Sequence, residues 1–217
     1  MKTALVFGSS GLVGGHLLNQ LIKDSNYNKI KIFVRSELEN NDPKVEIIKT
    51  DFNNLEKHKE DIKGDDCFFC IGTTKQNSPK KSEYRRVELD VPKQIAQITK
   101  SNSVNSFVFV SSGYADPKSL GDYLKFKGEV EEELKRLNFP KIGIMRPSFL
   151  LGDRKEKRVA EKIGIFVFKM LSPLLVGPLK KMKPIHSEIV AKAMIRAANE
   201  NLEKNIFESN EIVDLNK

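Results

Sequence analysis

The chain has 217 residues, and its 37 Lys and Arg residues outnumber 29 Asp and Glu, which gives a formal net charge of +8. This length suits one α/β domain over residues 1–217 with a core that needs no disulfides, and it leaves no room for a separate substrate domain. Because the basic residues are scattered among acidic ones and no apolar run reaches the length of a membrane span, we expect a cytoplasmic protein with no transmembrane segment and no specific nucleic-acid site.

The first apolar run, residues 3–7, predicts a buried strand that leads into glycines at positions 8, 11 and 14 and then into a helix over residues 12–22. Strand, glycine turn and helix start are together typical of a dinucleotide-binding unit. In that unit the glycines allow a tight turn, close approach of the backbone to a pyrophosphate, and packing of helix on strand. The sequence therefore predicts a phosphate site on the free N–H groups of this helix.

A second strand ends at Arg35, and a short third strand is followed by Asp51 and Phe52. The residue that ends strand two lies beside the adenosine ribose, where an acid favours NAD and an Arg accommodates the 2′-phosphate of NADP. We therefore expect NADP, the alternative being that Arg35 is simply a basic residue leaving a strand. Asp51 is a candidate partner of the adenine amino group and Phe52 of the ring; alternatively, Asp51 caps a helix that begins at Asn53.

Strand four, residues 66–71, contains both cysteines and ends in Gly72-Thr73-Thr74. Cys67 and Cys70 are three apart, so they point to opposite faces of a strand, and we interpret them as reduced core thiols. Small and hydroxyl residues at the carboxyl end of a parallel strand face the ligand crevice. The three histidines have no paired ligands at metal spacing, which predicts no metal site.

Strand five ends in Ser111-Ser112 and strand six in Pro147-Ser148. Five or six strands that alternate with helices predict a doubly wound parallel sheet. Residues 151–186 differ in character, with a charged stretch followed by an apolar one. We interpret them as a lobe over a substrate pocket in preference to a membrane-surface helix, because a helical pattern then returns the chain to the sheet.

Tyr123 and Lys127 are four residues apart near the start of a predicted helix, so they share one face. An ammonium beside a phenol stabilises its phenolate, which lets Tyr act as an acid or base toward a carbonyl oxygen that receives hydride at its carbon. A serine hydroxyl at the end of strand five, Ser112 or Ser111, can hold the same oxygen. Tyr27 and Tyr114 also precede a Lys by four residues. Tyr27 is expected in a loop, and Pro117 lies between Tyr114 and Lys118, where it prevents the helix that would bring that pair onto one face.

These segments, in their order along the chain, resemble the atypical short-chain dehydrogenase/reductase family of the HIV Tat-interacting-protein type: residues 6–14, 70–74, 110–113, 123–129, 146–147 and 152–158. The resemblance implies a Rossmann fold that binds NADP(H), with Ser112, Tyr123 and Lys127 as the catalytic residues. The cofactor-binding residues that it implies are Gly8, Ser10, Gly11, Leu12, Val13, Arg35, Asp51, Phe52, Gly72, Thr73, Thr74, Pro147 and Ser148.

Two functions are consistent with these residues. The first is an NADP(H)-dependent oxidoreductase that reduces a small carbonyl substrate. The second, which the resemblance permits, is a non-catalytic NADP(H) sensor that binds a protein partner through residues 151–186. The sequence leaves the substrate open, as well as whether the chain forms a homodimer.

Overall fold

The structure is a computed structural model that describes residues 1–36, 38–152 and 183–217. The strands in these ranges are β1 (Lys2–Phe7), β2 (Tyr27–Val34), β3 (Val45–Lys49), β4 (Asp66–Phe69), β5 (Ser106–Val110), β6 (Lys141–Arg146), β7 (Leu150–Leu151), β8 (Ile185–His186) and β9 (Ile206–Glu208). Seven of them form a parallel sheet in the order β3-β2-β1-β4-β5-β6-β9. The predicted doubly wound parallel sheet is confirmed, with the order reversing between β1 and β4.

The helices in the same ranges are α1 (Leu12–Lys23), α2 (Lys81–Arg85), α3 (Val91–Ser101), α4 (Asp122–Leu137), α5 (Ser187–Asn199) and α6 (Ser209–Asp214). A π-helical turn, Arg86–Asp90, joins α2 to α3. Helices α1 and α5 cover one face of the sheet, and α3 and α4 cover the other. Because both faces are covered, the strands read as continuous apolar runs.

A row of phenylalanine rings crosses the sheet under α3 and α4. Phe7 of β1 stacks on Phe33 of β2 with ring centroids 4.4 Å apart, and it lies 6.0 Å from Phe69 of β4. Phe69 in turn stacks at 6.5 Å on Phe107 of β5. Such cross-strand aromatic contacts fix neighbouring strands in register, and here they align the strand ends on which the candidate site is built.

The two cysteines lie on opposite faces of the sheet, as the sequence predicts. Cys67 is fully buried under α3, whereas Cys70 contacts Met194 of α5 with the two sulfur atoms 3.9 Å apart. Burial raises the pKa of the Cys67 thiol well above its usual range and that of Cys70 to about 12. Both are free thiols, Cys67 within the core as predicted and Cys70 only partly buried at its edge.

Some predicted element boundaries are wrong. Tyr27 begins β2 and is 1% exposed, with its hydroxyl donating to Asp66 at 2.8 Å, so it does not lie in a preceding loop. The helix expected from Asn53 is a 3-10 turn at Leu55–His58, and strand β9 has no counterpart among the predicted elements. Short strands such as β9 carry too little periodicity to be found by pattern.

The predicted lobe at residues 151–186 falls mainly on residues 153–182, which lie outside the described residues. The strands on either side, β7 and β8, pair in parallel, with Leu150 opposite Ile185. In the part of the chain that the structure describes, none of the helices has the length and apolar character needed to cross a membrane.

Candidate functional site

The turn between β1 and α1 requires its glycines. Gly8 has φ +95°, and a Cβ there would lie 2.8 Å from the backbone C of Cys70. A Cβ on Gly14 would lie 2.0 Å from the carbonyl oxygen of Gly8, and the Gly11 amide donates to that same oxygen at 2.9 Å. Backbone packs against backbone at each point, so a side chain at position 8 or 14 cannot be accommodated without moving a strand or the helix.

The N-terminus of α1 has the features of an anion site. Ser10 and Gly11 are exposed, and no side chain in the described ranges caps the helix at Gly11. The hydroxyl of Ser9 is buried and has no hydrogen-bond partner among the described residues. Free N–H groups at a helix start, the helix dipole and an unpaired buried hydroxyl fit a bound phosphate, and the Leu12 and Val13 amides lie in the first turn.

The residues predicted at the adenosine end lie in two different environments. Arg35 and Asp51 are exposed, after β2 and β3 respectively. The Asp51 carboxylate accepts from the backbone and side-chain amides of Asn53, both at 2.8 Å, and these hydrogen bonds lower the pKa of Asp51. Phe52, at φ +60°, is 9% exposed and packs near Phe7 in the core. Asp51 is therefore available at the surface while Phe52 is not.

The turn after β4 is held by hydrogen bonds to both of its threonines. The hydroxyls of Thr73 and Ser78 are 3.0 Å apart, and the Thr74 hydroxyl accepts from the Asn77 amide at 3.3 Å. Gly72, next to them, is exposed. These residues follow β4, the parallel neighbour of β1, so they lie at the same edge of the sheet as the phosphate turn.

The two serines after β5 have different surroundings. Ser111 is buried, and its hydroxyl donates to the Glu131 carboxylate at 2.5 Å. Arg146 forms an ion pair with the same carboxylate, also at 2.5 Å. Ser112 is half-buried, and its hydroxyl contacts the Gly113 carbonyl at the longer distance of 3.3 Å. Ser111 is thus occupied in a buried network, whereas Ser112 is the serine available to a ligand.

Tyr123 and Lys127 lie together on α4, as the spacing predicts. Tyr123 is 38% exposed, whereas Lys127 is 3% exposed. The Lys127 ammonium lies 5.8 Å from the centre of the Tyr123 ring, 4.8 Å from the centre of the Phe109 ring and 3.3 Å from the carbonyl oxygen of Val110. An exposed phenol therefore lies above a buried cation, close to the end of β5 and the loop that carries Ser112.

Glu88 is a site residue that the sequence interpretation missed. It is 1% exposed, in the π-helical turn, and its carboxylate lies 3.0 Å from the Lys127 ammonium. Its other oxygen accepts from the Thr73 amide at 2.5 Å. An acid on the apolar face of a helix was the available signal, because a buried carboxylate requires a partner.

The loop after β6 connects the site to the C-terminal part of the chain. The buried Pro147 accepts from the Gly113 amide at 3.0 Å through its carbonyl. The Ser148 hydroxyl donates to the Lys183 carbonyl at 2.6 Å, and its amide donates to the Ser209 hydroxyl at 2.8 Å. Pro147 and Ser148 therefore lie beside the loop that carries Ser112, and the Ser148 hydroxyl already has a backbone acceptor.

The parallel sheet, the strand order and the glycine turn at the start of α1 define a Rossmann-type dinucleotide-binding protein. A profile of the NAD(P)H-binding family matches residues 8–201. The chain belongs to this family, and its relatives place it with the atypical short-chain dehydrogenases/reductases.

Two curated relatives and one solved structure illustrate the similarity. The mitochondrial protein FMP52 of Candida glabrata is 30% identical over 94% of this chain and 88% of its own length. Protein HTATIP2 of Rattus norvegicus is 31% identical over 74% of this chain and 67% of its own. The Bordetella bronchiseptica enzyme WbmH in complex with NAD⁺ has a TM-score of 0.72 at 16% identity, over 96% of this chain and 75% of that one, which supports the fold alone.

These relatives overturn one expectation. Several fungal relatives are named as mitochondrial proteins. The prediction of a cytoplasmic protein is therefore wrong by this comparison. It rested on scattered charges and on the absence of a span-length apolar run, and neither is evidence of the compartment in which a protein resides.

Proposed function

We propose that the chain is an NADP(H)-dependent oxidoreductase that reduces a small carbonyl compound at Ser112, Tyr123 and Lys127. The observation that carries the proposal is the exposed Tyr123 phenol over the buried Lys127 ammonium, with the Ser112 hydroxyl at the neighbouring strand end. All three lie at the carboxyl edge of the sheet that also carries the phosphate turn. An open crevice at this edge is where Rossmann-type proteins bind their ligands.

Each residue has one task in the reaction. The Ser112 hydroxyl donates a hydrogen bond to the carbonyl oxygen and orients it. The Tyr123 hydroxyl gives its proton to that oxygen as charge develops there, and the Lys127 ammonium stabilises the phenolate left behind. When bound, the reduced nicotinamide supplies the hydride to the carbonyl carbon. Hydride and proton together convert C=O to CH–OH, and solvent then reprotonates Tyr123.

The choice of NADP over NAD rests on Arg35. This residue is exposed directly after β2, where the adenosine ribose of a bound dinucleotide lies in this fold. A guanidinium forms charge-assisted hydrogen bonds with a phosphate and gives no comparable advantage to a 2′-hydroxyl. Asp51, exposed after β3, is the proposed partner of the adenine.

The proposal is tested with Tyr123→Phe, which removes one hydroxyl from a partly exposed ring. We expect turnover in an NADPH-oxidation assay with a panel of aldehydes and ketones to fall roughly 100- to 10,000-fold, the usual contribution of a general acid, while NADPH affinity stays within about twofold. Tyr114→Phe is the matched control, because Tyr114 is also exposed and also precedes a Lys by four residues. Equal turnover in Tyr123→Phe and the control would refute the assignment.

The alternative is a non-catalytic NADP(H) sensor. It predicts tight NADPH binding with no oxidation on any carbonyl in the panel, in the unsubstituted protein as well as in the variants. Wild-type turnover above the rate without protein excludes it.

A further inference from the structure

Glu88 is a buried carboxylate, and burial of a charged group does not by itself stabilise a fold. Its side chain is fully buried, and the removal of a carboxylate from water costs several kcal/mol unless charge and hydrogen bonds compensate. The backbone around it is a π-helical turn, Arg86–Asp90, inserted into an otherwise α-helical segment. Such turns are rare and are found frequently at functional sites.

The two carboxylate oxygens of Glu88 reach two different parts of the candidate site. Oε1 accepts from the Thr73 amide at 2.5 Å, which fixes the backbone of the turn after β4 beside Gly72. Oε2 lies 3.0 Å from Nζ of Lys127 on α4. One side chain therefore couples the turn that borders the crevice to the cation under Tyr123.

The ionisable groups that face Lys127 in the described part of the chain are Glu88, Tyr123 and Cys70. Burial by itself lowers the pKa of the Lys127 ammonium, but the negative charge of Glu88, with smaller contributions from Tyr123 and Cys70, more than offsets it and leaves the pKa raised. Among the described residues the ammonium also contacts the Val110 carbonyl and the Phe109 ring, both of which are uncharged. Glu88 is thus the group that keeps this buried cation charged.

We propose that Glu88 is a positioning residue for the site, holding Lys127 charged and in place beneath Tyr123 and holding the Thr73 backbone at the edge of the crevice. The proposal rests on the proposed function for its catalytic consequence. The ion pair and its effect on the pKa of Lys127 do not depend on whether the protein turns over a substrate. A merely structural Glu88 would affect the stability of the fold and leave the pH dependence of turnover unchanged.

The test is Glu88→Gln, which preserves shape and leaves an amide oxygen to accept from Thr73 but removes the negative charge. The first readout needs neither cofactor nor activity: an NMR pH titration of lysine side chains labelled with ¹³C, with the Lys127 signal assigned by its loss in Lys127→Met. We expect the Lys127 midpoint to move to lower pH in Glu88→Gln. The matched control is Glu131→Gln, which removes an equally buried carboxylate from α4 itself, one that pairs with Arg146, and leaves the Lys127 midpoint unchanged.

The second readout is the pH dependence of turnover. With Lys127 losing its proton at lower pH, the alkaline limb of the kcat profile moves to lower pH, and kcat near neutral pH falls roughly 10- to 100-fold. Glu88→Asp keeps the negative charge on a side chain that is shorter by one methylene. We expect its alkaline limb to lie closer to the wild-type position than that of Glu88→Gln. If Glu88→Gln folds poorly, Glu88→Gln with Lys127→Met removes both charges and recovers stability.

An unchanged Lys127 midpoint in Glu88→Gln overturns the proposal, whatever the kinetics. A shifted midpoint in a protein that oxidises no NADPH upholds the pairing and overturns the proposed function instead. A shifted midpoint with an unmoved pH profile overturns the catalytic consequence alone, because Lys127 would then not govern the protonation of Tyr123.

Discussion

The substitution Gly14→Ala tests how tightly the phosphate turn packs on α1, and Gly15→Ala serves as its control. A Cβ on Gly14 would lie 2.0 Å from the Gly8 carbonyl oxygen and 2.7 Å from the Gly8 carbonyl carbon. Ordinary carbon to oxygen contacts are about 3.3 Å or longer, so the helix and the turn must separate by about 1 Å. Both atoms are backbone, so no side-chain rotation relieves the contact.

The cost follows from that displacement. Overpacking of this kind costs about 1–3 kcal/mol, and we expect the upper end here. The helical preference of Ala over Gly returns about 0.5–1 kcal/mol. The net loss of about 2 kcal/mol corresponds to a Tm lower by about 4–8 °C for a chain of this size.

Gly15→Ala is the matched control, because within the described ranges a Cβ there meets only the Ser9 carbonyl oxygen, at 3.6 Å. We expect this variant to be more stable by about 0.5–1 kcal/mol. The assays are thermal unfolding without cofactor and titration with NADPH, in which Gly14→Ala should also bind more weakly because the phosphate turn has moved. Equal stability and equal affinity in the two variants would refute the reasoning.

The remaining predictions concern the serines, the cofactor choice and the thiols. Ser111→Ala should destabilise the fold by about 1–3 kcal/mol in urea unfolding, whereas Ser112→Ala should leave stability intact and lower turnover about 100-fold. Arg35→Ser should reduce the preference for NADPH over NADH about tenfold in kcat/KM, and an unchanged ratio would count against NADP selectivity. Neither Cys67 nor Cys70 should react with a thiol reagent at pH 8 until the protein unfolds, because burial holds both thiol pKa values far above that pH.

Local sequence patterns were sufficient to predict the sheet and the phosphate turn. Continuous apolar strands, each followed by a helical period, specify a covered parallel sheet. The positive φ of Gly8 and the close contact of Gly14 with the Gly8 carbonyl arise within fifteen residues of sequence. The pair of Tyr123 and Lys127 was equally accessible, since helical spacing alone brings them together. These features depend on neighbours in the chain.

Long-range contacts account for what sequence reasoning missed. Glu88 and Lys127 are 39 positions apart, and only the packing of α4 on the π-helical turn turns an ordinary acid and an ordinary lysine into a buried pair. Phe52 was expected at the adenine, but it is buried and packs near Phe7, which is 45 positions away in the sequence. The roles of Ser111 and Ser112 separate only once the buried Glu131 is seen to accept from the first. Periodicity carries no information on any of these.

A crystal structure grown with NADPH tests the central claim most directly. We expect the diphosphate on the amides at the start of α1, the 2′-phosphate at Arg35, and C4 of the nicotinamide facing a space bounded by the hydroxyls of Ser112 and Tyr123. That space is where the proposed function places the substrate carbonyl. A nicotinamide turned away from Tyr123, or a diphosphate bound elsewhere than the turn at Gly8 to Gly14, would contradict the account.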